Sequence, residues 1–185
     1  AFLDSEAAPR DGGRAVVVEQ FTSAAIVDAL KGLFVPDSQL SSQYRKGLMG
    51  RDSGGMNWKM DQNVVSQTFG SWATAAGALT VTTANQGLAA GWAATSTLTL
   101  TTTQTLTLNQ GDTISFAGVQ PVNPQSRQVY GSGILRTFVV QSSVTGTAGN
   151  FQVTVAPALI SGGQFQNVSA APAAGAAVTA TSLAT

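Results

Sequence analysis

Fifteen of the chain's eighteen charged side chains lie within its first 61 residues. The 124 residues that follow carry only Asp112, Arg127 and Arg136, set among 21 threonines and abundant Ala, Gly, Ser and Gln. A β segment with so few charges cannot guard its sheet edges with Lys or Glu, the usual device against edge-to-edge pairing. It has to hide those edges instead, and closing into a barrel does so. Two architectures therefore meet near residues 60–66.

The first part reads as mixed α and β. Ala15-Val16-Val17-Val18 is a short β-branched run suited to a buried strand. Thr22 or Ser23 offers a helix N-cap, and Ile26, Val27, Leu30, Leu33 and Phe34 fall on one face at helical spacing, with Asp28 and Lys31 toward solvent. Pro36-Asp37-Ser38 opens a second short helix carrying Leu40, Tyr44 and Leu48, which Gly50 and Ser53-Gly54-Gly55 end. Met56–Met60 alternates like a strand with one apolar face.

The second part reads as all β. Thr97–Leu100 and Thr105–Leu108 alternate strictly, so Leu faces inward and Thr outward. Asn109-Gln110-Gly111-Asp112 is a turn, after which Thr113–Phe116 resumes the alternation. Arg136–Gln141 and Phe151–Val155 flank a turn-rich stretch and read as a hairpin. Ala78–Val81 and Gly163–Val168 are weaker strand candidates, and Ala170–Ala177 reads as a loop returning to the first part. Short strands at this spacing suggest a small antiparallel barrel or a sandwich.

Composition narrows the function. The 185 residues contain no Cys and no His and have zero formal net charge. That excludes disulfides, Cys/His metal centres and His-based acid–base or nucleophilic catalysis. Charge balance argues against an electrostatic nucleic-acid binder. No Asp-x-Asp-x-Asp cluster offers a calcium cage, and none of Gly12-Gly13, Gly54-Gly55 or Gly162-Gly163 continues into a phosphate loop. We therefore expect no enzyme, no metal and no cofactor. No run approaches the ~20 apolar residues of a membrane span. The N-terminus, Ala1–Glu6, has neither initiator Met nor the form of a secretory signal, which suggests a piece of a longer chain.

Other candidates are weighed individually. Asp112 beside Gly111 reads as a turn former, and Asp28 and Asp37 as a helix-face residue and a cap. Trp72 and Trp92 read as core or interface anchors. Arg45, Lys46 and Arg51 read as a solvated helix face. The long stretch Val119–Ile134, with Arg127 and Tyr130, is either a floppy surface loop or a contact element.

At Gly111-Asp112-Thr113-Ile114-Ser115-Phe116-Ala117-Gly118-Val119 the chain closely resembles the coat proteins of the Salmonella short-tailed phage group (the P-twenty-two-like family), where such a stretch lies in an insertion domain. Gly111, Asp112, Ile114, Phe116 and Gly118 carry the match. Thr97–Leu108 before it, Thr137–Val140 and Gln152–Ile160 after it, and Ala24–Leu33 with Tyr44–Gly47 and Arg51 upstream are similar in order. The resemblance implies an α+β, mainly β chain: a short helical capsid-core segment, 1–63, followed by a small antiparallel β-barrel insertion domain, 64–185. It implies a structural major capsid protein, with a barrel that aids subunit folding and holds neighbouring capsomers together. The implied partners are other coat subunits and a scaffolding protein. The implied location is the virion, an icosahedral shell assembled in the host cytoplasm around double-stranded DNA that is not read for sequence.

Two departures stand out. The arm, spine helix and C-terminal return of a complete capsid subunit are missing, so the chain reads as an internal fragment. The loop matching the family's charged intercapsomer loop, about Gln86–Thr95, has no charge. Arg127, Tyr130, Arg136 and Trp92 are then the expected intersubunit contacts. The rival reading is an Ig-like or carbohydrate-binding β module of a tail fibre or bacterial surface protein.

Overall fold

The computed structural model describes residues 9, 12–30, 55–75, 79–129 and 133–180. They fall into two compact units, one within Pro9–Ser66 and one within Gln67–Thr185.

In the first unit, β1 (Ala15–Val18) leads directly into α1 (Gln20–Leu30), and β2 (Asn57–Met60) lies parallel to β1, with Ala15 opposite Asn57 and Val18 opposite Met60. Parallel neighbours need a long crossover, and the 38 residues between these strands supply one. Two expectations change here. The helix starts before Thr22 and Ser23, because the Glu19 carbonyl already accepts from Ser23 N at 2.9 Å, so neither is its N-cap. β1 is not buried: β2 is its only sheet neighbour among the described residues, and Val17 is half exposed. Ile26 is half-buried on the expected face, whereas Phe21 stands largely in solvent. Leu33, Phe34 and the second helix with Leu40, Tyr44 and Leu48 lie outside the described residues.

The second unit is an antiparallel barrel. Its strands are β3 (Leu79–Val81), β4 (Ser96–Thr102), β6 (Thr113–Phe116), β7 (Thr137–Val140), β9 (Gly149–Ala156) and β10 (Val178–Ala180), in sheet order β10-β6-β7-β9-β4-β3. The two outer strands meet through an antiparallel bridge between Thr80 and Ala177, with Val81 N donating to Ala176 O at 3.0 Å and Gly175 N to Val81 O at 2.8 Å. The sheet thus closes on itself, and the charge-poor strands are left without an open edge there. A smaller pair, β5 (Leu106–Leu108) with β8 (Val144–Gly146), and a 3-10 turn (Ser71–Thr74) complete the unit.

Alternation sets the core. Leu98 and Leu100 of β4, Leu106 and Leu108 of β5, and Ile114 and Phe116 of β6 point inward and are buried, while Thr97 is exposed and Thr99 and Thr107 are half-buried on the other face. Phe116 and Phe138 meet inside with ring centroids 5.4 Å apart and planes tilted by 52°. The anticipated hairpin is more elaborate than expected. β7 and β9 do pair, Val140 opposite Val155, but the turn-rich stretch between them contains β8, which crosses to β5. Gly163–Val168 is not a strand; Gln166 N donates to Gly163 O in a turn with Gly163 at φ +80°. Ala170–Ala177 is irregular, as expected, but it packs along β3 and delivers β10, a strand the sequence pattern does not announce.

Truncating Phe116 or Phe138 to Ala is expected to cost about 3–5 kcal/mol. Val139→Ala, on the half-exposed face of β7, should cost well under half as much. Denaturant unfolding of each variant checks this.

Candidate interaction surface

The strand directions sort the barrel's connections onto two ends. Residues 82–95, 117–136 and 157–177 join strands at one end, here the loop end. Residues 103–112 and 141–148 join them at the other. The chain comes in at that second end through Gln67–Thr74, and β10 runs back toward it, Val178 opposite Phe116 and Ala180 opposite Ile114.

Asp112 fixes the second end. Its side chain is completely buried. Trp72 Nε1 (2.7 Å), Asn109 N (2.8 Å) and Gly70 N (3.1 Å) all donate to its Oδ2, and Gln67 Nε2 donates to Oδ1 at 3.3 Å. The turn reading of Asp112 holds, since its N donates to Asn109 O at 3.1 Å, but the larger role is this anchor. Buried carboxylates persist only when paired or fully hydrogen-bonded, and here three of the four donors come from 40 to 45 residues upstream.

The other residues of this stretch have more local reasons. Gly111 sits at φ +93° as third residue of the Asn109–Asp112 turn, and Gly118 at φ +81° as third residue of the Phe116–Val119 turn, whose Val119 N donates to Phe116 O. Both have the positive φ that a type II turn demands at that place. Between them Ile114 and Phe116 fill the core, and Ser115 bonds Thr179 of β10 (2.8 Å between hydroxyls).

At the loop end the three connections are tied into one platform. Val122 N donates to Asn167 O and Ser169 N to Gln120 O, Pro121 bridges Val168, and Leu88 bridges Leu159. Ser96 Oγ accepts from Leu159 N at 2.9 Å, and Gln86 Oε1 accepts from Thr99 N at 2.6 Å. The described part of the Val119–Ile134 stretch, residues 119–129, is therefore built rather than floppy. Val119, Pro121 and Val122 are buried, Val122 bridges Val129, and Asn123 Oδ1 accepts from Gln125 N and Ser126 N at the tip.

This platform gathers exposed apolar side chains: Leu88, Val129, Ile134, Phe165 and above all Trp92, which is 73% exposed. Trp72, by contrast, is core. Arg127 is exposed at the tip, held at φ +53°, an uncommon setting for a non-glycine residue. Asp112 and Arg136 are buried, so Arg127 is the one exposed charge after Asp61. Arg136 presents little surface, and its backbone N donates to Val119 O at 2.8 Å. Tyr130, like Arg45, Lys46 and Arg51, lies outside the described residues. Sequence reasoning placed Trp92 and Arg127 separately; it had no signal that Leu88 and Phe165 share their end of the barrel. No group of three or more acidic, His or Cys side chains gathers among the described residues, and no helix among them is long and apolar enough to cross a membrane.

A family model described as "P22 coat protein - gene protein 5" matches residues 1–185. Comparison with curated protein sequences yields no match. Among solved structures the chain is similar to one described as "CUS-3 coat protein I-domain", at 26% identity and a TM-score of 0.40, over 55% of this chain and 93% of that one.

The anchor predicts an order of severity. Asp112→Ala strands two buried donors, Gly70 N and Trp72 Nε1, and two part-buried ones, and is expected to cost about 3 kcal/mol or more, while Trp72→Phe, which keeps an aromatic ring but removes one donor, should cost about 1.5–3 kcal/mol. Gly111→Ala should exceed Gly118→Ala, because its Cβ would come within 2.9 Å of Gln67 Oε1 whereas Gly118 has open space. Urea midpoints of the four variants check the ranking.

Proposed function

The chain belongs to the P22 coat protein family over residues 1–185, and from that membership we propose how it serves as a structural capsid protein of a phage virion. Residues 1–63 form part of the capsid core and residues 64–185 form a barrel inserted into it. Its role is mechanical and assembles with other coat subunits; it performs no catalysis. The observation that carries the reading is the family match along the whole chain. The barrel's shape supports the insertion: the chain comes in and goes out at one end, as a domain inserted in another does, which leaves the platform at the other end free to meet neighbours.

In this reading Trp92 and Arg127 touch an adjacent subunit. Trp and Arg are the side chains that most often dominate such contacts. A scaffolding protein guides assembly in the host cytoplasm, and the icosahedral shell encloses double-stranded DNA without reading its sequence. Tyr130 belongs to the same contact by its position in sequence, and Arg136 supports it from beneath. The family match leaves the carbohydrate-binding reading without support.

Electron microscopy and light scattering of the protein expressed from its native reading frame test this. Closed shells of uniform size are expected, and particles that never exceed a monomer, with and without scaffolding protein, would sink the reading. Trp92→Ala and Arg127→Glu should each lower the temperature at which shells dissociate while leaving the barrel's own unfolding midpoint unchanged. With a single charge on the platform, raising salt from 0.1 to about 1 M should shift wild-type dissociation little.

A further inference from the structure

We infer that residues 90–95 are a proteolytic modification site of the unassembled subunit, cut after Trp92 by a protease whose pocket takes a large aromatic side chain. The cut itself needs only the folded barrel. Its closure on assembly rests on the reading of Trp92 as a subunit contact.

The segment Ala90-Gly91-Trp92-Ala93-Ala94-Thr95 leads from the loop end into β4. Five of its six residues are exposed, and a Cβ on Gly91 would meet nothing within 4 Å. Trp92 is the most exposed of the large apolar side chains described in the barrel. Among the described residues, none of the six makes a hydrogen bond, and no other run of that length in the barrel lacks one.

Both flanks are stapled. Upstream, Leu88 bridges Leu159, and Ala89 N donates to Leu159 O at 2.9 Å. Downstream, Ser96 Oγ donates to Gly87 O and accepts from Leu159 N at 2.9 Å, and Ser96 opens the β4 ladder opposite Val155. Exposed loop segments of small residues are where proteases nick folded proteins, because several residues of extended backbone can be supplied at little cost. The other exposed aromatic side chains described in the barrel lack that freedom. Phe165 precedes Gln166, whose N donates to Gly163 O and whose Nε2 donates to Val168 O. Phe69 precedes Gly70, whose N donates to Asp112.

Hydrolysis adds one water across the Trp92–Ala93 peptide bond and breaks its C–N bond, leaving a carboxylate on Trp92 and an ammonium on Ala93. The Leu159 staple holds one new end and β4 the other, so the barrel keeps its fold. Trp92 then ends a short tail instead of belonging to a closed connection, and the nicked subunit loses its fixed contact. In a shell the neighbour covers Trp92 and the bond is out of reach. A protease with this pocket thus sorts free subunits from assembled ones.

Limited chymotrypsin digestion of the protein expressed from its native reading frame, as free subunits and as shells, tests this, with the cuts read by mass spectrometry. In free subunits the first cut within residues 67–180 should fall after Trp92, and the two barrel fragments should co-elute in gel filtration. A first cut elsewhere in that range, or fragments that separate, overturns the site. Trp92→Ala should slow the cut at least about tenfold, as loss of an apolar pocket contact does. Ala93→Pro, which keeps Trp92 but removes the N–H of the scissile bond, should block it without moving the barrel's unfolding midpoint. Cutting of both variants at the wild-type rate would also overturn the site. In shells the cut after Trp92 should be lost. Shells cut as fast as free subunits overturn the closure and leave the free-subunit cut standing, whereas failure to form shells sinks the shell-building reading and the closure with it.

Discussion

A single buried carboxylate organises one end of the barrel. Asp112 is the only acid beyond Asp61, and its oxygens draw in a turn it belongs to, the incoming segment at Gln67 and Gly70, and the indole of Trp72. Each donor would be costly to bury alone, and so would the carboxylate. Together they make a polar knot in an otherwise apolar unit, and it can form only when the chain from residue 67 is docked. Close packing tightens the same spot: a Cβ on Gly70 would lie 2.0 Å from the Thr107 carbonyl oxygen, so β5 can approach only a glycine there.

The local features were legible and the long-range ones were not. Strict Leu/Thr alternation in Thr97–Leu100 and Thr105–Leu108 encodes which face is core, because strand side chains have a period of two. Gly111 and Gly118 mark their turns for a reason that lies within four residues of each. Asp112 could be read only halfway, since its turn is local but its burial depends on donors some 40 residues away. β8 and β10 are three residues long, too short to show a period, and exist because β5 and β6 offer them an edge. The half-exposed Val17 shows the same limit from the other side: a β-branched run predicts a strand, but not what covers it.

Charge depletion and barrel closure explain one another. An open sheet carrying Thr, Gln and Leu and almost no charge would invite strands from other chains, so the bridge from Thr80 to Ala177 does what Lys and Glu do elsewhere. Most of the barrel's exposed large apolar side chains are gathered at the loop end, around Trp92, Phe165 and Leu88, on connections that hold one another in place. An apolar surface kept on rigid support loses little entropy when it meets another molecule.

The start of β3 and the finish of β10 at one end of the barrel also decide how the unit bears load. β3 and β10 are antiparallel neighbours, and the chain leaves both from the same end, through Leu79 and Ala180. Tension drawn through those ends opens the pair as a zipper, one bond at a time, rather than shearing all of its bonds together. Strain arriving from a surrounding structure is then met first by the Asp112 knot, which holds the incoming segment, and only afterwards by the seam. The barrel is in this sense mechanically fused at one corner, stiff until that corner yields and compliant beyond it.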